Sequence, residues 1–390
     1  MGGLVVKPRA RIFHGHDWVY STEVRKIFGD PQPGDVISLK DFKDRPLGSA
    51  IYNPSSQIVA RRFSRRKQDL DLEFFERRLA RAQAYRESIG VVKEPFVYRL
   101  VWSESDGLPG VVVDRYGDQW IFQTHTMGMD RHKGELVQAL INQFNPAVIV
   151  ERNEGSGRTA EGLQPVTHVH LGEARREQLW IDGVPLTADV GGGQKTGLYI
   201  DQLDNYSRVA ALASGRRVLD CFTNQGGFAL HCARAGAKEV TAVDVSATAL
   251  AAAQENADAA GLNIHFEEGN AFDKLKQAQA AGEQFDLIVL DPPSFTRSRA
   301  NLSEAMRGYK EIHLRALKML EPGGILASFS CSHHVDRAMY MQMVIDASVD
   351  AKRGLRLRSS LGQRADHPIL PGIPESDYLH GLILEVIPAW

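Results

Sequence analysis

Five stretches of this chain place reactive or ligand-binding residue types where short apolar runs end. The first run closes in Asp220-Cys221-Phe222-Thr223-Asn224-Gln225-Gly226-Gly227, the second in Asp244, and the third in Gly269-Asn270-Ala271. The fourth closes in Asp291-Pro292-Pro293-Ser294-Phe295 and the fifth in Ser330-Cys331-Ser332-His333-His334. Gly226 and Gly227 let a backbone approach a ligand at a helix start. The G-x-G-x-x-G fingerprint is missing, which argues for a nucleoside with a cationic or zwitterionic tail rather than a pyrophosphate. Asp244 can accept both hydroxyls of a ribose, or it can serve as an acid at the positive end of the next helix. Asn270 can read an adenine edge or cap the helix after it. Neither Pro292 nor Pro293 can donate to a strand ladder, so together they stop the strand and hold Asp291 on a rigid corner. Cys331, set among Ser and His where its strand has ended, has the makings of a nucleophile, whereas Cys221 and Cys232 read as packing thiols.

These residues need a scaffold that brings strand ends together. From residue 215 the chain alternates strand and helix: strands at 218–222, 240–245, 264–267, 285–290 and 325–329, with helices at 226–234, 246–260, 271–280 and 302–319. Such alternation predicts a doubly wound, mainly parallel α/β sheet, and ligands in such sheets sit beyond the carboxyl ends of the strands. The segment 381–387 is expected to add an antiparallel edge strand. Upstream, 36–39, 48–52 and 57–63 are short strands between turn-rich segments, as in a small barrel. In the last of these, Ile58, Ala60 and Arg62 are expected on one face and Val59, Arg61 and Phe63 on the other. Leu72, Phe75, Leu79 and Ala82 then have helical spacing, with Arg77, Arg78 and Arg81 on the outer side. Residues 96–185 mix strands with a helix at 131–144, and Asp182-Gly183 signals a hairpin. The expected domains are 1–68, a β-barrel; 69–188, a connecting helix with an α+β domain; and 189–390, the α/β domain.

The chain has 390 residues, too many for one compact domain, and a formal net charge of −2. That balance excludes a uniformly basic nucleic-acid coat, yet it hides an asymmetry. Residues 1–68 hold 13 Lys and Arg against 6 Asp and Glu, a surplus of +7 over a body carrying −9. A basic front end with Arg61, Arg62, Arg65, Arg66 and Lys67 clustered together points to a polyanion. Three cysteines exclude a disulfide scaffold and suit a reducing compartment. No apolar run approaches the roughly 18 residues of a membrane span and no secretory signal is visible, so a cytoplasmic address is expected. The histidines (14 and 16, 168 and 170, 333 and 334) lack a matching ligand pattern, and no metal is expected. Gly191-Gly192-Gly193-Gln194-Lys195-Thr196 is not a P-loop, because Gln194 separates glycine from lysine.

The ordered set Asp220…Gly226-Gly227, Asp244, Asn270 and Asp291-Pro292-Pro293-Ser294-Phe295 resembles class I S-adenosylmethionine-dependent methyltransferases with a Rossmann-like sheet. More narrowly, 194–202 (QKTGLYIDQ), Arg307-Gly308-Tyr309-Lys310 and Ser330-Cys331-Ser332 resemble the bacterial 23S rRNA cytosine-C5 large-subunit methyltransferase I family. His16-Asp17-Trp18-Val19-Tyr20-Ser21 is similar to that family's RNA-binding PUA domain, and 104–110 (ESDGLPG) to its central α+β domain. The resemblance spans essentially the whole chain. One departure is Asn270, where the family often has Asp. The resemblance implies S-adenosylmethionine as methyl donor and S-adenosylhomocysteine as product. It also implies a cofactor site formed by Lys195, Thr196, Gly197, Asp220, Phe222, Asn224, Gly226, Gly227, Asp244, Val245, Asn270, Ala271, Asp291 and Pro292. RNA, 23S rRNA in the family, is the implied partner, with Lys310 near the crevice and a monomer or homodimer as the assembly.

Carbon 5 of cytosine is a poor nucleophile, and a thiolate added at carbon 6 makes it enamine-like. That scheme assigns Cys331 as nucleophile and Asp291 as the group bonding ring nitrogen 3 and the exocyclic amine, which requires a raised pKa or a shared proton. The base is not readable from the sequence, His333 and an ordered water being the two candidates. The rival readings are an rRNA guanine or adenine N-methyltransferase, since Asp-Pro-Pro-x-Phe also resembles amino-methylating motifs, and a non-catalytic RNA-binding factor. Neutralising Arg61, Arg62, Arg65, Arg66 and Lys67 together is expected to lower RNA affinity and flatten its salt dependence, as a binding titration across ionic strengths would show.

Overall fold

The computed structural model describes residues 2–191, 197–296, 299–332 and 334–388, with Ser156 and Arg299 described in their backbone alone. The chain divides into two compact units. The first comprises Met1–Glu177, Ala188–Ile200 and Ala365–Ser376; the second comprises Gln178–Thr187, Asp201–Arg364 and Asp377–Trp390.

The first unit opens with a six-stranded sheet in the order Trp18–Tyr20, Ile58–Ser64, Pro46–Tyr52, Val36–Lys40, Gly3–Val6, Val24–Phe28. Leu4, Val6, Val19, Ile37, Leu39 and Ala60 form its core. The strand Ile58–Ser64 departs from simple two-sided alternation. Val59 and Ala60 join the barrel core, Phe63 joins a second core against Phe74 and Phe75, and Arg62 is buried as well. Both faces of this strand are therefore covered. The helix Leu72–Ser88 is capped by Asp71, whose carboxylate accepts from the Phe74 N–H at 2.8 Å. Its Arg86 is fully buried and satisfied, donating to the carbonyls of Arg99 and Asp366 and to the Asp106 carboxylate. A five-stranded sheet follows in the order Val166–Leu171, Val148–Asn153, Gln119–Thr124, Val111–Tyr116, Val97–Trp102. The hairpin turn at Asp182-Gly183, which belongs to the second unit, forms as expected, both residues being left-handed at φ +50° and +76°.

The second unit is built on seven strands: β1 (Arg217–Cys221), β2 (Glu239–Asp244), β3 (His265–Glu268), β4 (Phe285–Leu290), β5 (Leu320–Ser330), β6 (Gly354–Leu361) and β7 (His380–Ile387). Their order is β3-β2-β1-β4-β5-β7-β6. The first five run parallel, and β7 is antiparallel to both β5 and β6. The chain steps outward from β1 to β3 and then crosses to β4 on the other side of β1, so the order reverses between β1 and β4. Crevices at the carboxyl ends of strands form at such reversals. Helices α1 (Leu203–Ala210), α2 (Gly227–Arg234), α3 (Ala247–Ala260), α4 (Ala271–Ala280), α5 (Leu302–Lys318) and α6 (Arg337–Ala351) accompany the sheet. Leu219, Val243, Ile288, Leu290, Leu326 and Tyr340 belong to one continuous core.

Several elements differ from the sequence-based expectation. The terminal strand β7 lies one position in from the edge, because β6 pairs with its outer side. β6 alternates Leu355 and Leu357 with Arg356 and Arg358 and continues through Ser359 and Ser360, so it lacks the continuous apolar run by which the buried parallel strands are read. Helices α1 and α6, and upstream the strands Gly3–Val6, Trp18–Tyr20, Val24–Phe28 and Val166–Leu171, are further elements that the sequence reading does not name. Close packing at the start of α2 yields a test. A Cβ on Gly227 would lie 2.3 Å from Cζ of the Tyr206 ring, which packs edge-on against Phe228. Gly227→Ala is expected to cost about 1–3 kcal/mol by overpacking, seen as a lower denaturation midpoint at unchanged slope.

Candidate active site

Parallel register sets the geometry of the site. Asp220 pairs with Ala242, Cys221 with Val243 and with Leu290, and Leu290 with Ser328. The residues just beyond these positions therefore emerge side by side at one edge of the sheet.

The turn after β1 is backbone-strained. Phe222, Asn224 and Gly226 are left-handed at φ +65°, +50° and +82°. A Phe in that region is unusual and persists only when its surroundings fix it. Two acids do so. Asp220 Oδ2 accepts from the Thr223 hydroxyl at 2.6 Å and from the Ala229 N–H at 3.0 Å. Asp244, half-buried, accepts from the Asn224 N–H at 2.8 Å and from the Ser246 N–H at 2.9 Å. It thus pins the β1 turn while also serving the start of α3. The neighbouring Val245 is 68 % exposed, an apolar face at the same strand end. Asn270 caps α4 by accepting from the Phe272 N–H at 2.9 Å and is itself exposed, while Ala271 is buried.

Asp220 is fully buried, and among the described residues its Oδ1 has no hydrogen-bond partner. Desolvation, reinforced by the Asp291 and Asp244 charges and only partly offset by its hydrogen bonds, raises its pKa to about 7. Burial also pushes the thiols of Cys221 and Cys232 up, so neither is a reactive thiolate.

The corner after β4 and the turn after β5 are joined by hydroxyl groups. Ser294 and Ser332 are 2.8 Å apart, Tyr309 and Ser332 3.0 Å, and Ser330 donates to the Tyr309 oxygen at 3.4 Å. Since the Ser294 hydroxyl donates to the Thr296 carbonyl at 2.8 Å, the protons run in one direction. Ser330 donates to Tyr309, Tyr309 to Ser332, and Ser332 to Ser294. Beneath this chain His313 donates from Nδ1 to the Tyr309 carbonyl at 2.6 Å, and its Nε2 accepts from Ser328 at 2.6 Å. Burial lowers the His313 pKa to about 4, so the ring is neutral and this tautomer is fixed. Tyr340 completes the network by bonding Ser328. Cys331 is half-buried between Ser330 and Ser332; burial raises the pKa of both Tyr309 and Tyr340, with smaller contributions from the Cys331 charge on both and from the Asp291 charge on Tyr340. Asp291 Oδ2 accepts from Gln202 Nε2 at 2.9 Å, and Gln202 is held by Asn205 at 2.7 Å. Phe222, Phe272, Phe295 and Tyr309 form an aromatic cluster beside these groups, the last two with centroids 4.5 Å apart.

The structure thus assembles Asp220, Phe222, Asn224, Gly226, Gly227, Asp244, Val245, Asn270, Ala271, Asp291, Pro292 and Cys331 along the carboxyl edge of one sheet. Gly197 belongs to the other unit, left-handed at φ +145° next to Tyr116. Lys195, Thr196 and His333 lie outside the described residues. Lys310 on α5 is ion-paired with Asp350 on α6 at 2.7 Å. Of the basic cluster, Arg61 is paired with Glu104 at 2.8 Å and Arg62 with Asp17 at 2.6 Å, whereas Arg65, Arg66 and Lys67 are exposed. Sequence reasoning misses the roles of Gln202, Tyr309, His313 and Tyr340, although Gln202 and Tyr309 lie inside the stretches that carry the family resemblance. Among the described residues no group of three or more His, Cys, Asp or Glu could hold a metal ion, and no helix is long and apolar enough to cross a membrane.

Comparison with known proteins agrees with this fold. Residues 5–65 match a PUA-like domain and residues 212–368 a methyltransferase domain. The chain is 39 % identical over 379 residues to ribosomal RNA large subunit methyltransferase I of Tolumonas auensis, covering 95 % of this chain and 96 % of that protein. The protein of the same name from Shewanella amazonensis is 40 % identical over 377 residues, with 95 % of each chain covered. The chain belongs to the ribosomal RNA large subunit methyltransferase I family. A solved structure from Streptococcus mutans assigned to the S-adenosylmethionine-dependent methyltransferases shares the fold, with a TM-score of 0.86 at 20 % identity over 99 % of this chain and 100 % of that one. The family's cofactor, S-adenosylmethionine, suits the donor set here. The unpartnered Asp220 oxygen lacks a hydrogen-bond donor, and Asp244 and Val245 offer an acceptor beside an apolar face.

The raised pKa of Asp220 carries a stability consequence. Between about pH 4 and 7 the folded state holds a proton that the unfolded state releases, so this contribution is full below about 4 and is lost as pH rises through about 7. His313 has the opposite slope over about 4 to 6.5. Asp220→Asn removes only the first. Relative to the wild type, the variant is therefore expected to gain stability steadily from pH 4 to 7 in paired thermal melts; a constant difference would contradict the assignment.

Proposed function

We propose that this chain transfers a methyl group from S-adenosylmethionine to carbon 5 of a cytosine in 23S ribosomal RNA, with Cys331 as covalent nucleophile and Asp291 as the group facing ring nitrogen 3. The observation that carries the reading is the placement of Cys331 and Asp291 at the carboxyl ends of the adjacent parallel strands β5 and β4, with their loops joined through Ser332 and Ser294. When bound, the cofactor supplies an electrophilic methyl group on a sulfonium. Asp220 and Asp244 are the acids for its cationic and hydroxyl groups, Val245 gives an apolar face for its base, and Asn270 and Ala271 flank that position. Phe222, Asn224, Gly226, Gly227 and Pro292 complete the proposed pocket.

The chain's own residues handle the cytosine. The Cys331 thiolate adds to carbon 6, and the electron pair moves through carbon 5 toward nitrogen 3, where the proton shared with Asp291 settles. Asp291 also accepts from the exocyclic amine, and the Gln202 amide orients its carboxylate. Carbon 5, now nucleophilic, takes the methyl group; a water then removes the carbon-5 proton as the double bond re-forms and the thiolate leaves, and nitrogen 3 returns its proton to Asp291. The target base must be unstacked to reach a strand-end crevice, and Arg65, Arg66 and Lys67 are exposed to hold phosphates meanwhile.

Methylation of ribosomal RNA lacking the modification, with nucleoside analysis of the product, is expected to yield 5-methylcytidine. Cys331→Ala is expected to drop incorporation to background while retaining the cofactor. Undiminished transfer by Cys331→Ala, or a methylated exocyclic nitrogen, would replace this reading with N-methylation, which needs no thiol.

A further inference from the structure

The first unit holds an open groove of about 650 Å³, a volume typical of ligand sites. It runs between the end of strand Ile58–Ser64, one face of the helix Leu72–Ser88, the turn Glu104–Gly107 and residues 368–370.

Its charges are unequally matched. Three acids line it, and each is already committed. Asp17 is paired with Arg62 at 2.6 Å, Glu104 with Arg61 at 2.8 Å, and Asp106 with Arg86 at 2.9 Å. The other cations of the groove are Arg65, Arg78 and Arg81, and among the described residues none of them has an acidic partner within 4.0 Å. Three guanidinium groups therefore line the groove with no acid in contact, Asp17 acting on Arg78 only from beyond ion-pair distance. Arg78 and Arg81 stand three apart on one helix face, where like charges oppose each other; burial and the nearby Arg81 and Arg77 charges lower the Arg78 pKa. An anion placed among them relieves that repulsion.

The groove is also built in advance. Arg78 is anchored by a donation to the Phe63 carbonyl at 2.7 Å, which leaves its other N–H groups without a protein acceptor among the described residues. Room for its guanidinium comes from Gly107, left-handed at φ +70°, where a Cβ would lie 2.9 Å from Arg78 Cζ. One turn beyond Arg81, Tyr85 is 38 % exposed; its hydroxyl donates to the Ala365 carbonyl at 3.2 Å, and the Arg86 cation lies 5.1 Å from its ring centre. Ile369 adds an apolar patch, 47 % exposed. Unpaired guanidinium groups beside a fixed, accessible aromatic ring match a single strand, whose phosphates bind cations while an unstacked base lies on the ring. A duplex offers its phosphates but keeps its bases stacked away.

We propose that this groove holds an unpaired stretch of the RNA substrate, with phosphates on Arg65, Arg78 and Arg81 and one base on Tyr85. The proposal rests on an RNA substrate and is independent of which atom is methylated. The test uses the full chain and a fluorescent single-stranded oligoribonucleotide of about ten nucleotides, with affinity read by anisotropy across salt concentrations. Arg65→Gln with Arg81→Gln is expected to weaken binding about tenfold or more and to make the slope of log affinity against log salt shallower by about 1.4, near 0.7 per lost phosphate contact. Neither side chain has a protein ion pair to lose, and an unchanged melting temperature checks the fold. Tyr85→Ala is expected to weaken binding about tenfold at an unchanged slope, while binding of a duplex of the same sequence stays insensitive to it. An unchanged salt slope in the double variant overturns the proposal, as does equal sensitivity of strand and duplex to Tyr85→Ala. Product analysis separates the two readings: an N-methylated nucleoside with the slope loss intact would reject only the carbon-5 chemistry, and 5-methylcytidine with an unchanged slope would reject only the groove.

Discussion

The Ser332 hydroxyl accepts from Tyr309 and donates to Ser294, and these two bonds make one rigid body of the two loops that carry the proposed chemistry. Without them, the proline corner bearing Asp291 and the turn bearing Cys331 would be separate strand ends. Tyr309 and Ser332 are almost completely buried, so each bond forms where an unmet hydroxyl would be costly. The His313–Ser328–Tyr340 set below it fixes the height of β5 and helix α5 in the same way. A neutral His313 suits this task, because a charged ring there would lose its acceptor and break the bond from Ser328.

A second constraint acts at the turn after β1. The β1 turn adopts left-handed conformations at Phe222 and Asn224 that the chain would not choose unaided. Asp220 and Asp244 hold it, and each acid has capacity to spare. For Asp220 that capacity is a buried oxygen with no donor among the described residues, and the resulting desolvation makes the group protonatable near neutrality. The strain and the unmet acceptor are local costs, offset by a continuous apolar core beneath the sheet.

The catalytic sheet is legible in the sequence because buried parallel strands read as short apolar runs, and because each run ends in chemically distinctive residues. Pro-Pro after an acid and Cys between serines need no tertiary information to be noticed. The polar strand β6 carries no such signal, which is why β7 is expected at the edge. Pairing between distant residues is equally hidden. Arg61 and Arg62 look like the rest of their basic cluster, but Glu104 and Asp17, 43 and 45 positions away, hold them in ion pairs. Composition counts charges and cannot tell a free arginine from a committed one. The groove cations Arg78 and Arg81 lie beyond the expected barrel, and their periodicity says only that they sit on the outer side of a helix. Gln202 and Tyr309 fall within recognisable stretches, yet their hydrogen-bond partners sit 89 and 23 residues downstream.

A covalent bond between Cys331 and carbon 6 of the target cytosine is the central claim of this mechanism. Ribosomal RNA carrying 5-fluorocytidine tests it directly, since fluorine at carbon 5 leaves no proton to remove after methyl transfer and the thiolate then has no way out. The expected result is a denaturation-resistant protein–RNA adduct whose peptide mass places the modified nucleotide on Cys331, and no adduct from Cys331→Ala. An enzyme that methylates unsubstituted RNA but forms no adduct with the fluorinated RNA, or one attached elsewhere, would contradict it.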